Sequence, residues 1–184
     1  QYIQKSKRQI KRKNKRMILT IPYQLKLKCW DYLSKNNMGN RHSANGNREQ
    51  QFVGLLGEVI TKDVFGLKHK YKNGFDGGFD MRYKGKKIDV KTMGRTVDMK
   101  PYFVHNFIGF QKEFDCDIYI FNSLNKTTNK LEICGWITKD NLIKKSCFYK
   151  EGDVRNRDNG TCFKMKADTY EIENRLLNKI NLLL

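Results

Sequence analysis

The chain has 184 residues, with 37 Lys and Arg against 19 Asp and Glu, for a net charge of +18. That length suits one domain with a real core, and so large a positive excess implies a polyanionic partner, nucleic acid before acidic lipid. A transmembrane helix is excluded, because no stretch approaches the roughly 20 apolar residues a span needs. The basic N-terminus leads into no apolar segment of the secretory type, so no leader is expected. Cys29, Cys116, Cys134, Cys147 and Cys162 are scattered and form no C-x-x-C pair. They read as reduced, mostly buried small hydrophobes of a cytoplasmic protein rather than as a zinc site.

Residues 1–16 carry Lys5, Lys7, Arg8, Lys11, Arg12, Lys13, Lys15 and Arg16 almost without acids. Like charges at this density repel, so the run is either an arm that grips phosphates or a solvated tail. Residues 17–36 open on an apolar run, pass Pro22 at a position suited to a first helical turn, and repeat Leu25, Leu27, Trp30 and Leu33 at helical spacing. The stretch 36–47 is an Asn- and Gly-rich loop. Residues 48–66 are the clearest helix, with Phe52, Leu55, Leu56, Val59, Ile60 and Val64 on one face and Gly66 as its stop. Gly54 and Gly57 inside it are expected to permit close packing on a sheet, since each otherwise costs about 1 kcal/mol against Ala.

A Gly-rich turn over 73–78 leads to two strands, 79–83 and 87–92, joined through Lys84-Gly85-Lys86 as a β-hairpin. Further strands are expected at 103–109, at 116–121 (buried on both faces) and at 131–137, with an N-capped short helix starting at Thr138. Residues 149–161 read as a mobile loop, Phe163 and Tyr170 to Ile172 as short strands, and 173–183 as a closing helix. The order implies an α/β domain over 17–184, a mixed central sheet flanked by helices, preceded by the basic segment 1–16.

The chemistry-bearing residues gather around the hairpin. Asp80 follows Gly77-Gly78 at the start of its first strand, and Asp89 and Lys91 lie two apart on the second. Residues i and i+2 share a strand face, so Asp89 and Lys91 project together while Ile88 and Val90 point to the apolar side. Glu58 interrupts the apolar stretch of the 48–66 helix, and such a carboxylate must be paired or bind metal. Simpler readings stand beside these. Asp89 and Lys91 can be an exposed ion pair, Asp80 can end a turn, and Glu58 can pair with Lys62 at i+4. Asp76 competes with Asp80. Arg41, His42 and Arg48 precede the Glu58 helix as candidate phosphate-binding groups, with Lys7, Arg8, Lys11 and Arg12 in the arm, and His105 reads as structural.

The segments GLLGEVITKDVFG and DGGFDMRYKGKKIDVKT carry Glu58, Asp80 and Asp89-x-Lys91 in an order that resembles the PD-(D/E)XK nuclease superfamily, in its viral and prokaryotic members. The match covers residues 48–92 and departs from the pattern at Phe79, where the motif has proline. The resemblance implies a restriction-endonuclease-like αβββαβ core. It implies Mg²⁺, with Mn²⁺ as a substitute, on Asp80, Asp89 and the Val90 carbonyl, and Glu58 completing the site. Lys91 would orient water or stabilise phosphate charge, and Gln111 would be a later polar group near the site. The expected activity is hydrolysis of phosphodiester bonds in DNA, by an endonuclease or an exonuclease. RNA stays open as the alternative polymer, a non-catalytic nucleic-acid-binding protein as the alternative function, and a homodimer as the alternative state.

Overall fold

The computed structural model describes residues 16–38, 46–71, 77–157 and 160–184. Strand β1 (Met17–Thr20) precedes helices α1 (Tyr23–Lys35) and α2 (Arg48–Val64). Strands β2 (Met81–Tyr83), β3 (Lys86–Arg95), β4 (Val104–Ile108), β5 (Ile118–Asn125) and β6 (Lys130–Thr138) follow, with a 3-10 turn over Gly109–Glu113. Helix α3 (Lys139–Lys145) and strands β7 (Cys147–Tyr149), β8 (Val154–Asn156), β9 (Cys162–Lys164) and β10 (Thr169–Glu173) complete the chain.

Five strands form a sheet in the order β1-β6-β5-β3-β2, parallel between β3 and β5 and antiparallel elsewhere. β5 is buried along its whole length: the apolar run over 116–121 predicts this for Ile118 to Phe121, and the strand continues buried through the more polar Asn122 to Asn125. Its side chains alternate between two cores. Ile118, Ile120 and Leu124 join Ile88 and Val90 of β3 against Cys29 and Leu33 of α1 and Leu55, Leu56 and Ile60 of α2. Tyr119 and Phe121 turn the other way, toward Phe107 of β4, Ile172 of β10 and Leu142 of α3. A second sheet, β4-β10-β7, therefore covers the face that the helices leave. Each fully buried aliphatic side chain contributes about 1.5–3 kcal/mol, so one central strand stabilises both layers.

Local chemistry explains the boundaries. Pro22, with φ −62° and ψ 137°, is the N-cap of α1, and the apolar run before it is β1 rather than helix. Asn47 caps α2 reciprocally: its side chain accepts from Gln50 N (2.9 Å), and Gln50 Oε1 accepts from Asn47 N (2.9 Å). Gly57 packs α2 so closely on β3 that a Cβ there would overlap Thr92, whereas Gly54 has open space around it and serves no such purpose. Thr138 caps α3, accepting from Asn141 N at 3.4 Å.

Three expectations give way. The 173–183 segment is not a helix but two 3-10 turns, Asn174–Leu176 and Ile180–Leu182. Asn178 between them exchanges main-chain hydrogen bonds with Trp136 (2.8 and 2.9 Å), which a continuous helix would preclude. The 149–161 segment, read as a loop, contains β8, and β9 follows it as the partner strand. The cysteines are not mostly buried: Cys29 and Cys116 are, Cys134 is half-buried, and Cys147 and Cys162 are exposed.

The molecule is mixed α/β. The expected order αβββαβ is met by α2, β2, β3 and β4, but β4 belongs to the second sheet, and a five-residue 3-10 turn leads into β5 where that order has a helix. Helices α1 and α2 flank one face of the mixed sheet only. Among the described residues no helix is long and apolar enough to cross a membrane.

A candidate carboxylate–lysine site on the β2–β3 hairpin

Lys84 (φ 47°) and Gly85 (φ 77°) form the two-residue turn between β2 and β3, left-handed at both positions as the hairpin twist requires. The ladder pairs Tyr83 with Lys86, Arg82 with Lys87 and Met81 with Ile88. β3 continues to Arg95, so its edge beyond Ile88 outruns β2. Asp80 takes over there. Its N–H donates to Ile88 O at 2.9 Å, and its Oδ2 accepts from Val90 N at 2.6 Å. Main-chain groups alternate along a strand. Lys87 O and Arg95 O accept from residues flanking β5, at Asp117 N (3.0 Å) and Lys126 N (2.8 Å), so the even-numbered carbonyls, Val90 included, face the Asp80 edge.

Asp89 and Lys91 point away from α2, as their spacing predicts. Lys91 Nζ lies 2.6 Å from Asp89 Oδ2, and Asp89 is only 6% exposed, so the pair is not the open surface contact that a strand edge allows. Buried beside it is Cys116, whose Sγ donates to Ile118 O at 3.2 Å. Burial first, and then the Asp89 carboxylate, push that thiol up to about 12, which keeps it protonated. Burial, with Cys116 and Asp89 nearby, raises the Tyr119 phenol as well. Phe79, before Asp80, carries two cations on its ring, the Arg82 guanidinium at 4.9 Å and the Lys87 ammonium at 5.8 Å. Lys87 also pairs with Asp115. The hairpin thus presents two carboxylates, a main-chain carbonyl and several cations within a few residues.

Glu58 is elsewhere. It lies on α2, on the helical side of the sheet, paired with Lys62 one turn on and with His69 Nδ1 at 3.3 Å. Burial pushes its carboxyl up, but the His69 and Lys62 contacts outweigh that and leave it below the ordinary range. Its charge is felt by Cys29, Tyr32 and Tyr71, around α1 and the segment after α2. The structure therefore sets two pairs on one hairpin, Asp80 with Val90 N and Asp89 with Lys91, and places Glu58 on the helical side of the sheet. Nothing in the sequence signals His69, eleven positions beyond Glu58, because the contact is made by the chain turning back after α2.

Among the described residues no three His, Cys, Asp or Glu side chains converge on one metal position. The hairpin donors are nonetheless of the type Mg²⁺ takes, hard oxygens from two carboxylates and a carbonyl, with water and substrate left to complete the shell. Glu58 does not fit that set. Gln111 is buried in the 3-10 turn after β4. That turn runs into Phe114, which sits where a Cβ on Gly78 would come within 2.8 Å of it, so Gln111 belongs to the segment packed beside the approach to Asp80. The Arg48 guanidinium is spent on α1, donating to Leu33 O and to Asn36 O (2.8 Å) at the helix C-terminus. His105 is fully buried, as a structural histidine should be. Lys7, Arg8, Lys11, Arg12, Arg41, His42 and Asp76 lie outside the described residues. No family model, curated protein or solved structure matches this chain.

Proposed function

We propose that this protein is a Mg²⁺-dependent endonuclease acting on DNA, with Asp80, Asp89 and Lys91 as its working side chains. One observation carries the reading: a buried carboxylate and a lysine 2.6 Å apart, two residues apart on one strand, beside a second carboxylate on the same hairpin. A buried acid and its partner are costly to keep for stability alone, because an apolar pair of similar volume often does as well. The net charge of +18 supplies sequence-independent affinity for a phosphate backbone.

In this reading Asp80, Asp89 and the Val90 carbonyl would hold the metal, which would supply Lewis-acid polarisation of the scissile phosphate and a more acidic water. Lys91 turns from Asp89 toward the phosphate, where its ammonium neutralises developing charge or orients the attacking water. Glu58 is assigned a different task from the one the resemblance implies, holding Lys62 and His69 on the helical side. A second reading has an observation of its own. Asp80 already accepts from Val90 N, and Asp89 already holds Lys91, so both carboxylates have structural partners without a metal. A non-catalytic nucleic-acid-binding protein would need no more.

The two separate on cleavage of labelled single-stranded, duplex, nicked, flapped and four-way-junction DNAs with Mg²⁺, with Mn²⁺ and with EDTA. The nuclease reading expects metal-dependent products. It expects Asp89→Asn and Lys91→Ala each to lower turnover by about 100-fold or more while DNA binding persists. Thermal unfolding of each variant confirms that the domain remains folded. Binding without cleavage in every arm, or unchanged cleavage by Asp89→Asn, overturns it.

A further inference from the structure

Strands β8 and β9 form a two-stranded ribbon that joins neither larger sheet. Isolated ribbons are marginal in water, so what holds this one is informative. At its base Gly152 N donates to Met165 O (2.9 Å), and the buried Met165 donates back to Asp153 O (2.8 Å). Arg155 Nε reaches Glu171 Oε2 of β10 at 2.9 Å, and Glu171 is buried. The register pairs Val154 with Lys164, Arg155 with Phe163 and Asn156 with Cys162. Arg155 and Phe163 therefore face the body and are half-buried. Val154, Asn156, Cys162 and Lys164 form an outer face that is exposed at every position. Arg157, next in phase after Arg155, starts on the inner side but lies just past the end of β8, where it is exposed with its guanidinium 4.5 Å from the Phe163 ring centre. Among the described residues neither Arg157 nor Lys164 has a carboxylate partner.

We propose that this ribbon is a duplex-DNA-binding element that lies in the major groove, with Asn156 of its outer face toward base edges, and with Lys164 of that face and Arg157 at the ribbon's end on phosphates. Two strands about 4.8 Å apart, with their side chains, match a groove roughly 12 Å wide. The major groove of A-form RNA is too deep and narrow for such an insertion. The outer face pairs Asn156 and Lys164 with Val154 and Cys162 and carries no acid, so its charge suits a polyanion. The ribbon is also tied to the candidate site. Asp168 Oδ1 accepts from Glu151 N (2.8 Å) at the ribbon base, and Asp168 O accepts from Gly109 N (2.7 Å), the first residue of the Gln111 turn. That turn packs through Phe114 on Gly78, two residues before Asp80. The inference rests on the nucleic-acid part of the proposed function and names its substrate class; it does not rest on catalysis.

The test is fluorescence anisotropy of the full chain with three labelled probes in EDTA, so that cleavage plays no part. The probes are a DNA duplex of about 20 base pairs, one of its strands, and an RNA duplex of the same sequence. R157E/K164E is compared with K28E/K68E, an equal charge change at exposed lysines of α1 and of the segment after α2. The ribbon variant should lose at least about tenfold on duplex DNA relative to the control pair, and no more than the control on the other two probes. Equal losses for the two variants on duplex DNA, or equal losses by the ribbon variant on all three probes, overturn the proposal. R157A/K164A keeps the test readable if the glutamates disturb folding. Wild-type protein that binds none of the probes overturns this inference and the nucleic-acid reading together. Metal-dependent cutting of duplex DNA that R157E/K164E leaves at wild-type affinity and rate overturns the ribbon alone.

Discussion

His105 is fully buried on β4, with Nε2 3.2 Å from Asn174 Oδ1 and its ring against Phe121. Burial outweighs the Asn174 contact, Arg95 adds to it, and the pKa falls to about 4. An unfolded histidine titrates near 6.5, so between roughly pH 6.5 and 4 the unfolded chain takes up a proton that the native one refuses. Stability should drop by about 3 kcal/mol across that window, and urea unfolding at stepped pH should show His105→Phe losing the slope. Glu58 acts lower on the scale. Its carboxyl is held down by His69 and Lys62 against the upward push of burial, so its contribution is complete above the ordinary carboxylate range and is lost as pH falls through its folded value. Glu58→Gln should therefore flatten the acid limb and leave the His105 window intact. If His105→Phe keeps the upper slope, that assignment is wrong. Side-chain pairing along one strand was legible beforehand, because Asp89 and Lys91 share a face by backbone geometry alone. The Glu58 partners mixed the two cases: Lys62 follows from helical spacing, while His69 does not.

At the level of elements, α2 and β3 meet at Gly57. A methyl group there would overlap Thr92, whose hydroxyl accepts a longer hydrogen bond (3.4 Å) from Asn122 Nδ2. Asn122 also donates to Thr61 Oγ1 at 2.8 Å, so a small polar knot sits under the helix. Gly57→Ala should cost about 1–3 kcal/mol despite its better helix propensity, as overpacking usually does. Thr92→Ala in the same chain should recover part of the loss, and equal stability of Gly57→Ala and wild type in urea would refute the close approach. The role of Gly57 was readable from a glycine inside a strong helix. Gly54 carries the same signal without the close approach, because which helical face meets the sheet is set by the partner. The C-terminal segment failed for a related reason. Its apolar spacing suits a helix, yet Asn178 bridges Trp136, and Trp136 Nε1 donates to Lys179 O at 3.1 Å. Hydrogen bonds to a neighbour satisfied main-chain groups that helix formation would have claimed.

For the whole molecule the charge sets the experiment. Arg16 does not belong to a free basic arm, since its guanidinium is paired with Glu132 and donates to Met99 O at 2.8 Å. The segment whose contribution needs testing is 1–15. Deleting it should weaken DNA binding and lower the slope of log K against log salt by about 0.9 for each phosphate the segment neutralises, while leaving the unfolding midpoint unchanged. An unchanged slope would make the segment a solvated tail. The layering also explains why Glu58 and Asp89 part company. With α1 and α2 on one face of β3 and the β4-β10-β7 sheet on the other, a residue on α2 meets Ile88 and Val90, never the side chains between them.

The sequence by itself determined what local geometry controls: the excess of positive charge, helix α2, the β2–β3 hairpin, and Asp89 with Lys91 on one face. These follow from periods of about 3.6 and 2 and from turn chemistry, which act within a few residues. Tertiary structure alone decided that β4 leaves for a second sheet, that Asp80 caps the open edge of β3, that Glu58 faces His69, and that β8 and β9 stand out as a ribbon. Each depends on which surface a distant segment covers, and the free energy of that choice resides in interactions between residues far apart in the chain.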